Sequence, residues 1–475
     1  MVDLAVIGAG AAGTYVAHEM LRQRPSWSVE LFERADRIGG RLHSVAVPGS
    51  KHPVELGGMR YLRGHGNVDR VVAEHGLRTH PFDIGRGPDR SILRGVNADG
   101  AGDPGGGAGY DLAGEEAGRS AEDLMGLAFE RIVPGATSMD AEAWSGARAY
   151  LRHQGRALRD WTIGEALASV LSAEGHRFVS DAFGYDSGNV GQNAADAIPY
   201  FLGAGHPSGE ARSPDDGMQQ IPLALAAAFQ ARGGVIRLQH ELESIGVQDD
   251  EQWLTFTNGQ SVSARRVVLA MPAPALRFLA PRVEALRGDR VQAMLDSVDA
   301  WSAAKLYLWF DRPWWRDDAF LGMRVTTDLP PRKLFTFDEV GSVGPAILLA
   351  AYTDGPAVEF WTSLADGAAP AAGAPSPILD AAASELRAVF PSIASIPAPV
   401  GSAFKHWGAD PLECGWHYWR AGADSVRVIA DIAQPSPGNE LYVCGEAYSR
   451  WQAWVEGALE TGATVVEKLT ASSQA

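Results

Sequence analysis

The chain has 475 residues, 46% of them hydrophobic and 14 of them tryptophan, enough for two or three domains with large cores. Its formal net charge of −17 repels phosphate and so argues against a nucleic-acid partner or an anionic membrane surface. Two cysteines, Cys414 and Cys444, make neither a disulfide framework nor a zinc set, and the 12 histidines show no metal-ligand spacing, so no metal is expected. A strand follows Met1 almost at once, which leaves no room for a signal peptide, and no apolar run is long enough to span a bilayer. The expectation is a cytoplasmic protein that works as a homodimer without a membrane anchor.

Leu4-Ala5-Val6-Ile7 is a short apolar run and reads as a buried parallel strand. From Ala11 to about Gln23 the composition is helical, and Pro25 stops it. Val29-Glu30-Leu31-Phe32 is a second strand, ending on Glu33. Between the first strand and the helix stands Gly8-Ala9-Gly10-Ala11-Ala12-Gly13. Gly8 permits the tight turn, Gly10 lets a pyrophosphate approach the backbone, and Gly13 lets helix and strand pack closely. The helix N-terminus at Ala11 and Ala12 offers free N–H groups and a partial positive charge to the phosphates. Glu33, 20 residues past Gly13, is placed to accept hydrogen bonds from a ribose diol. The reading is a dinucleotide site, and the alternative is a plain βαβ turn.

Arg34-Ala35-Asp36-Arg37-Ile38-Gly39-Gly40-Arg41 follows directly. Its glycines let the backbone lie against a ligand, and Arg41 can pair with pyrophosphate as a fork of donors. Here the chain resembles the flavin-containing amine oxidases: monoamine, polyamine and L-amino-acid oxidases. In that superfamily this stretch, with Arg34, Gly40 and Arg41, wraps FAD rather than NAD. Val54-Glu55-Leu56-Gly57-Gly58-Met59-Arg60-Tyr61 is most similar to the L-amino-acid oxidases. The resemblance implies that Gly57, Gly58, Met59 and Arg60 lie against the cofactor and that Arg60 holds the substrate carboxylate as a bidentate pair. The alternative is an arginine bonded to phosphate or to a buried acid.

Val96 to Ser120 is rich in glycine and reads as a flexible loop, either a lid or an idle insertion. Ala121 to about Phe183 is mostly helical, broken near Pro134 and Gly155, and Phe183 to Ala197 resembles the part where the family builds its substrate pocket. A helix is expected up to Ala231, then Val235 to Leu238 as a strand that Glu241 to Ile245 continues, a hairpin at Asn258-Gly259, and a buried strand from Val267 to Met271. By resemblance, Leu242 lies over the adenine end of FAD and Met271 near the pyrophosphate.

Ala303 to Phe310 is an apolar strand that carries Lys305. In this superfamily the lysine at that position holds a water at the flavin N5 edge; the alternative is an edge lysine whose head reaches solvent. Thr326 to Arg332 also resembles the L-amino-acid oxidases, which next place a carboxylate-binding tyrosine. This chain has Lys333-Leu334-Phe335-Thr336-Phe337 instead. Either Thr336 or another hydroxyl replaces it, or Arg60 works alone, or the substrate lacks that carboxylate. Near the end, Gly445-Glu446 and Trp454-Val455-Glu456-Gly457-Ala458 match the C-terminal FAD motif, which implies contacts from Gly445, Glu446, Ala453, Trp454, Val455 and Ala458. Trp416 and Trp454 fall where monoamine oxidases set two tyrosines before the flavin, so they are expected at the substrate; the alternative is two core tryptophans. Cys414 is one residue out of register with the cysteine that attaches flavin covalently, so FAD is expected to be non-covalent.

The expected fold is α/β. A Rossmann-like FAD-binding domain of glutathione-reductase type takes 1–62, 212–290 and 400–475. An interleaved α+β substrate-binding domain takes 63–120 and 291–399, and 121–211 form a helical part. The expected reaction converts an L-amino acid, bulky or aromatic, with O2 to a 2-oxo acid, ammonia and H2O2. A 2-monooxygenase, an oxidase of non-acidic amines and a non-catalytic FAD-binding protein are the alternatives.

Overall fold

Strand Val2–Ile7 is buried at every position except Asp3, as a parallel strand covered on both faces must be. The computed structural model describes residues 1–82, 89–99, 107, 109–204, 207, 209–248, 251–317, 324–337, 344–365 and 373–472. In it the strand lies within a seven-stranded sheet. The order is Val235–Arg237, Val29–Phe32, Val2–Ile7, Ser261–Leu269, Glu251–Phe256, Leu242–Gln248. Leu441–Val443 adds in parallel to the C-terminal half of Ser261–Leu269. Parallel pairing therefore runs through the middle of the sheet, and an antiparallel hairpin closes one end. That hairpin turns at Asn258-Gly259, where Gly259 adopts φ +82°, as the dipeptide predicts.

Val235–Arg237 and Leu242–Gln248 are not one continued strand, contrary to expectation. The first pairs with Val29–Phe32 at one edge of the sheet, and the second lies at the opposite edge. Gln239 turns the chain with φ +58°, and the crossing segment hydrogen-bonds to the carbonyls of Glu33 and Ala35. Helix Ala11–Gln23 packs between Gln220–Ala231 and Val455–Ser472, through an apolar core that includes Tyr15, Leu225 and Leu459.

A second seven-stranded sheet has the order Gly401–Trp407, Ala303–Phe310, Ala346–Asp354, Lys333–Thr336, Arg324–Thr327, Asp89–Leu93, Val96–Asp99. Gly401–Trp407, expected in the nucleotide-binding unit, pairs antiparallel with Ala303–Phe310, so the chain rejoins the first sheet only after it. Trp314, Trp315 and Trp361 are fully buried where Ser376–Val389 covers this sheet. Residues 121–201 form a separate helical layer with its own core. Ser120, Asp140, Thr162, Ser172 and Asn193 each cap a helix there by accepting a backbone N–H.

The glycine-rich stretch differs from a plain loop at both ends. Val96–Asp99 is a strand, and Tyr110 is buried against Phe178. Its central residues 100–106 lie outside the described residues, as do 366–372 of the Ala/Pro/Gly linker. Among the described residues no helix is long and apolar enough to cross a membrane.

Candidate cofactor and substrate site

The turn from Val2–Ile7 into Ala11–Gln23 opens onto a long cleft. Gly8 adopts φ +104°, and a Cβ at Gly13 would lie 1.8 Å from the Gly8 carbonyl oxygen. The outer glycines thus make the turn and the close packing. Gly10 differs: a Cβ there meets no protein atom nearer than 3.9 Å, so it would project into the cleft. No side chain caps the helix N-terminus, and its first turn carries no acid. Free N–H groups facing open space form a cradle for an anion. Glu33 lines the same cleft and accepts from the Ala9 and Ala35 N–H groups at 2.8 and 2.9 Å. Each of its oxygens keeps a lone pair for a ribose hydroxyl.

Glu446 lies at the turn after Leu441–Val443 and is buried. Arg41 Nη1 donates to it at 2.7 Å, His417 Nδ1 at 2.8 Å, and the backbone N–H groups of Ala453 and His417 at 2.6 and 3.2 Å. Burial opposes its charge, but the Arg41 guanidinium and these donors hold the carboxyl well below the usual carboxylate range. The Ala273 N–H points at His417 Nε2 at 3.2 Å; burial opposes a charge on the ring, but Cys414 and Glu446 beside it raise the His417 pKa to about 9. Ala453 adopts φ +67°, a strained conformation for alanine, while Glu446 holds its N–H.

Lys305 stands on a central strand between Ala346–Asp354 and Gly401–Trp407, not on an edge. It is 3% exposed and donates to the carbonyls of Gly57 and Glu55 at 2.5 and 3.1 Å. Burial lowers its pKa to about 7, with Glu55 opposing and Arg60 adding to the shift. Burial likewise raises Glu55 to about 7, against hydrogen bonds from Met218 N–H and Ser44.

Aromatic rings enclose the space beside Lys305. Tyr185 meets Tyr352 edge-on at 5.2 Å and Trp416 at 6.2 Å, and Tyr352 meets Trp416 at 6.2 Å. Trp416 Nε1 donates to Ser187 Oγ at 3.1 Å, and that hydroxyl donates to buried Asp354. Trp454 donates to the Tyr200 hydroxyl and faces His65 edge-on at 5.1 Å. The Arg60 charge acts on Tyr185, Tyr200, Tyr352, Lys305 and Lys333 together. Among the described residues no carboxylate pairs with Arg60.

The cleft is lined by Gly8, Gly10, Ala11, Ala12, Glu33, Arg34, Gly40, Arg41, Gly57, Gly58, Leu242, Met271, Lys305, Trp416, Gly445, Glu446, Ala453, Trp454, Val455 and Ala458. Four expected residues fall elsewhere. Gly13 lies behind the cradle, and Met59 packs in a core with Tyr307 and Phe335. Arg60 is half-buried next to the aromatic group rather than along the cleft. Thr336 is buried away from the cleft, opposite Leu348 in the sheet, so it does not replace the missing tyrosine. Tyr352 stands at the cleft, and sequence reasoning missed it. The one signal for it is its cross-strand place opposite Lys305, which is not visible before strands are paired. His52, His80 and Asp215 also converge, with candidate ligand atoms within 4.8 Å of one another. The two imidazoles stack at 3.8 Å, His52 Nδ1 lies 2.9 Å from the Asp215 carbonyl and His80 Nδ1 lies 3.3 Å from its carboxylate.

An anion cradle at a strand-to-helix turn that leads towards a buried lysine and an aromatic group is the arrangement of a flavin-dependent oxidoreductase. Residues 11–470 match the model of the flavin-containing amine oxidoreductases, and the chain belongs to that family. It is 29% identical to aplysianin-A of Aplysia kurodai, over 98% of this chain and 90% of that protein. It is 27% identical to a flavin-dependent L-tryptophan oxidase of Lentzea aerocolonigenes, over 98% of both chains. Putrescine oxidase with bound putrescine superposes with a TM-score of 0.74 at 18% identity, covering 99% of each chain.

Two outcomes follow from this geometry. Gly10 has an ordinary backbone conformation, so Gly10→Val will fold as the wild type by circular dichroism but purify without yellow colour. Glu446→Gln removes the charge that half-buried Arg41 faces and will lower unfolding free energy by roughly 1–3 kcal/mol in urea titrations. Because the Glu446 pKa is lowered, its stabilisation is complete above the ordinary carboxylate pKa and fades as pH falls below it. The stability gap between wild type and Glu446→Gln will therefore stay constant from pH 7 to about 5 and narrow on further acidification towards about pH 2.

Proposed function

We propose that this protein is an FAD-dependent L-amino-acid oxidase that converts its substrate with O2 and water to a 2-oxo acid, ammonia and hydrogen peroxide. The observation that carries the reading is Arg60, a half-buried guanidinium without an acidic partner among the described residues, set next to Lys305 and three tyrosines. A substrate carboxylate supplies the missing partner as a bidentate pair. Tyr352 offers the hydroxyl that Thr336 does not. The walls of Trp416, Tyr185 and Tyr352 keep water from the amine and favour its neutral form. They suit a side chain of some bulk, aromatic ones included.

The cradle at Gly10 and the Arg41–Glu446 pair would hold the pyrophosphate, and Glu33 the ribose, of a non-covalent FAD. Bound there, FAD supplies the hydride acceptor and passes the electrons to O2. Lys305, fixed by two carbonyls, would hold a water at the reacting edge. Cys414 is buried within reach of His417 Nε2 at 3.3 Å, a contact that engages the thiol and supports the non-covalent reading.

Peroxide release across a panel of L-amino acids and simple amines tests the reaction. Arg60→Leu will lower kcat/KM for an L-amino acid on the order of 10²-fold, the worth of two charge-assisted hydrogen bonds. An undiminished value would move the reading to oxidation of non-acidic amines, and amide with CO2 among the products would move it to a 2-monooxygenase. Acid precipitation will leave a colourless pellet and a yellow supernatant.

A further inference from the structure

We propose that the pocket selects L-amino acids whose side chain ends in a carboxylate, and that Lys333 is the cation that selects them. This rests on the oxidase reading and names its substrate class.

Tyr352 lies directly opposite Lys305 on one neighbouring strand and directly opposite Lys333 on the other. Residues directly opposite in a sheet share a face. Lys305, Tyr352 and Lys333 therefore stand in a row on one face, the two lysine Cα atoms roughly 10 Å apart at two strand spacings. The Lys305 ammonium sits 4.6 Å from the Tyr352 ring centre, and the Lys333 ammonium sits 4.9 Å from that of Tyr185. Tyr185 in turn touches Tyr352 and Trp416, so both lysines face one aromatic group, from different sides.

Lys333 has little else to hold. Thr326 Oγ1 accepts from it at 3.3 Å. The nearby acids are engaged: Asp89 with Arg324, Asp186 with Arg332, and Asp354 with Ser187 and two backbone N–H groups. Among the described residues no carboxylate pairs with the Lys333 ammonium. Its stem rests against Gly184, where a Cβ would come within 3.0 Å of Lys333 Cε. Burial, with Arg332 as a neighbouring cation, lowers its pKa to about 8, and a bound anion would relieve that.

Two cations without acidic partners among the described residues thus adjoin one aromatic group, with Lys305 and the buried, hydrogen-bonded Asp354 as the other ionisable groups beside it. Arg60 serves the α-carboxylate. Lys333, at the far end of the row from the reacting edge, is set to meet a second anion at the end of the side chain. The rings between them cover the methylenes. A lysine or arginine side chain would meet like charge, and a neutral one would leave the ammonium desolvated without a partner.

The test is kcat/KM of the flavin-loaded enzyme for L-glutamate, L-aspartate, L-leucine, L-tryptophan and L-lysine. The expected result is a glutamate or aspartate preference over leucine. In Lys333→Met the acid-to-leucine ratio falls roughly 10- to 100-fold, mainly through KM, the range of one charge-assisted hydrogen bond. Lys333→Arg keeps the charge and will retain most of the preference, which separates lost recognition from damaged folding. Wild-type preference for leucine or tryptophan over both acids would overturn the proposal, as would a Lys333→Met ratio equal to the wild-type one. Those results leave the oxidase reading standing. Silence with every amino acid would overturn that reading and this one with it.

Discussion

One buried carboxylate ties the molecule together. Glu446 gathers donors from the loop after the second strand, from the Trp416–Trp419 strand and from the turn before the last helix. Arg41 lies 405 residues before Glu446 in the chain, whereas His417 and Ala453 lie 29 and 7 residues from it. A lone carboxylate at that depth would take up a proton; surrounded by a guanidinium, an imidazole and two amides it stays ionised. The four bonds fix three walls of the cleft relative to one another. They also position Ala453 in a conformation that alanine does not choose by itself, and thereby place Trp454.

The two sheets divide the work. The first carries the anion cradle at the C-terminal ends of its parallel strands, the usual place for a ligand in an open α/β sheet. The second presents a polar row, Lys305, Tyr352 and Lys333, from strands otherwise dominated by apolar residues. Lys305 reaches across to the carbonyls of Glu55 and Gly57, so the glycine turn that borders the cleft is fastened to the second sheet. Gly57 has no room for a side chain: a Cβ would lie 1.8 Å from the Arg41 carbonyl oxygen. The cleft and the space beside Lys305 therefore share a wall, as the proposed reaction between two bound partners requires.

Some of this was legible before any coordinates. The first βαβ unit, the Asn258-Gly259 hairpin, the breaks in the helical region and the lysine in an apolar strand all came from local rules of turn chemistry and periodicity. Other readings failed for lack of pairing information. Val235–Arg237 and Leu242–Gln248 looked like one strand because nothing local marks the crossing between opposite edges. Gly401–Trp407 has the composition of either sheet, and only its partner decides. Thr336 looked like a substitute hydroxyl by its place in the chain, yet strand alternation turns it away from the cleft.

The sequence by itself determined the cradle, because a Gly-rich turn between strand and helix acts over a few neighbouring residues, and it carried the family through the resemblance of short motifs. Only the tertiary structure decided what stands around Arg60. Tyr200, Tyr352 and Lys333 come from a helix and two strands and Tyr185 from the turn between two helices, and their meeting depends on strand register and on how the helical layer sits against the second sheet. Register is a long-range choice made by burial of whole faces, and no short stretch of chain records it.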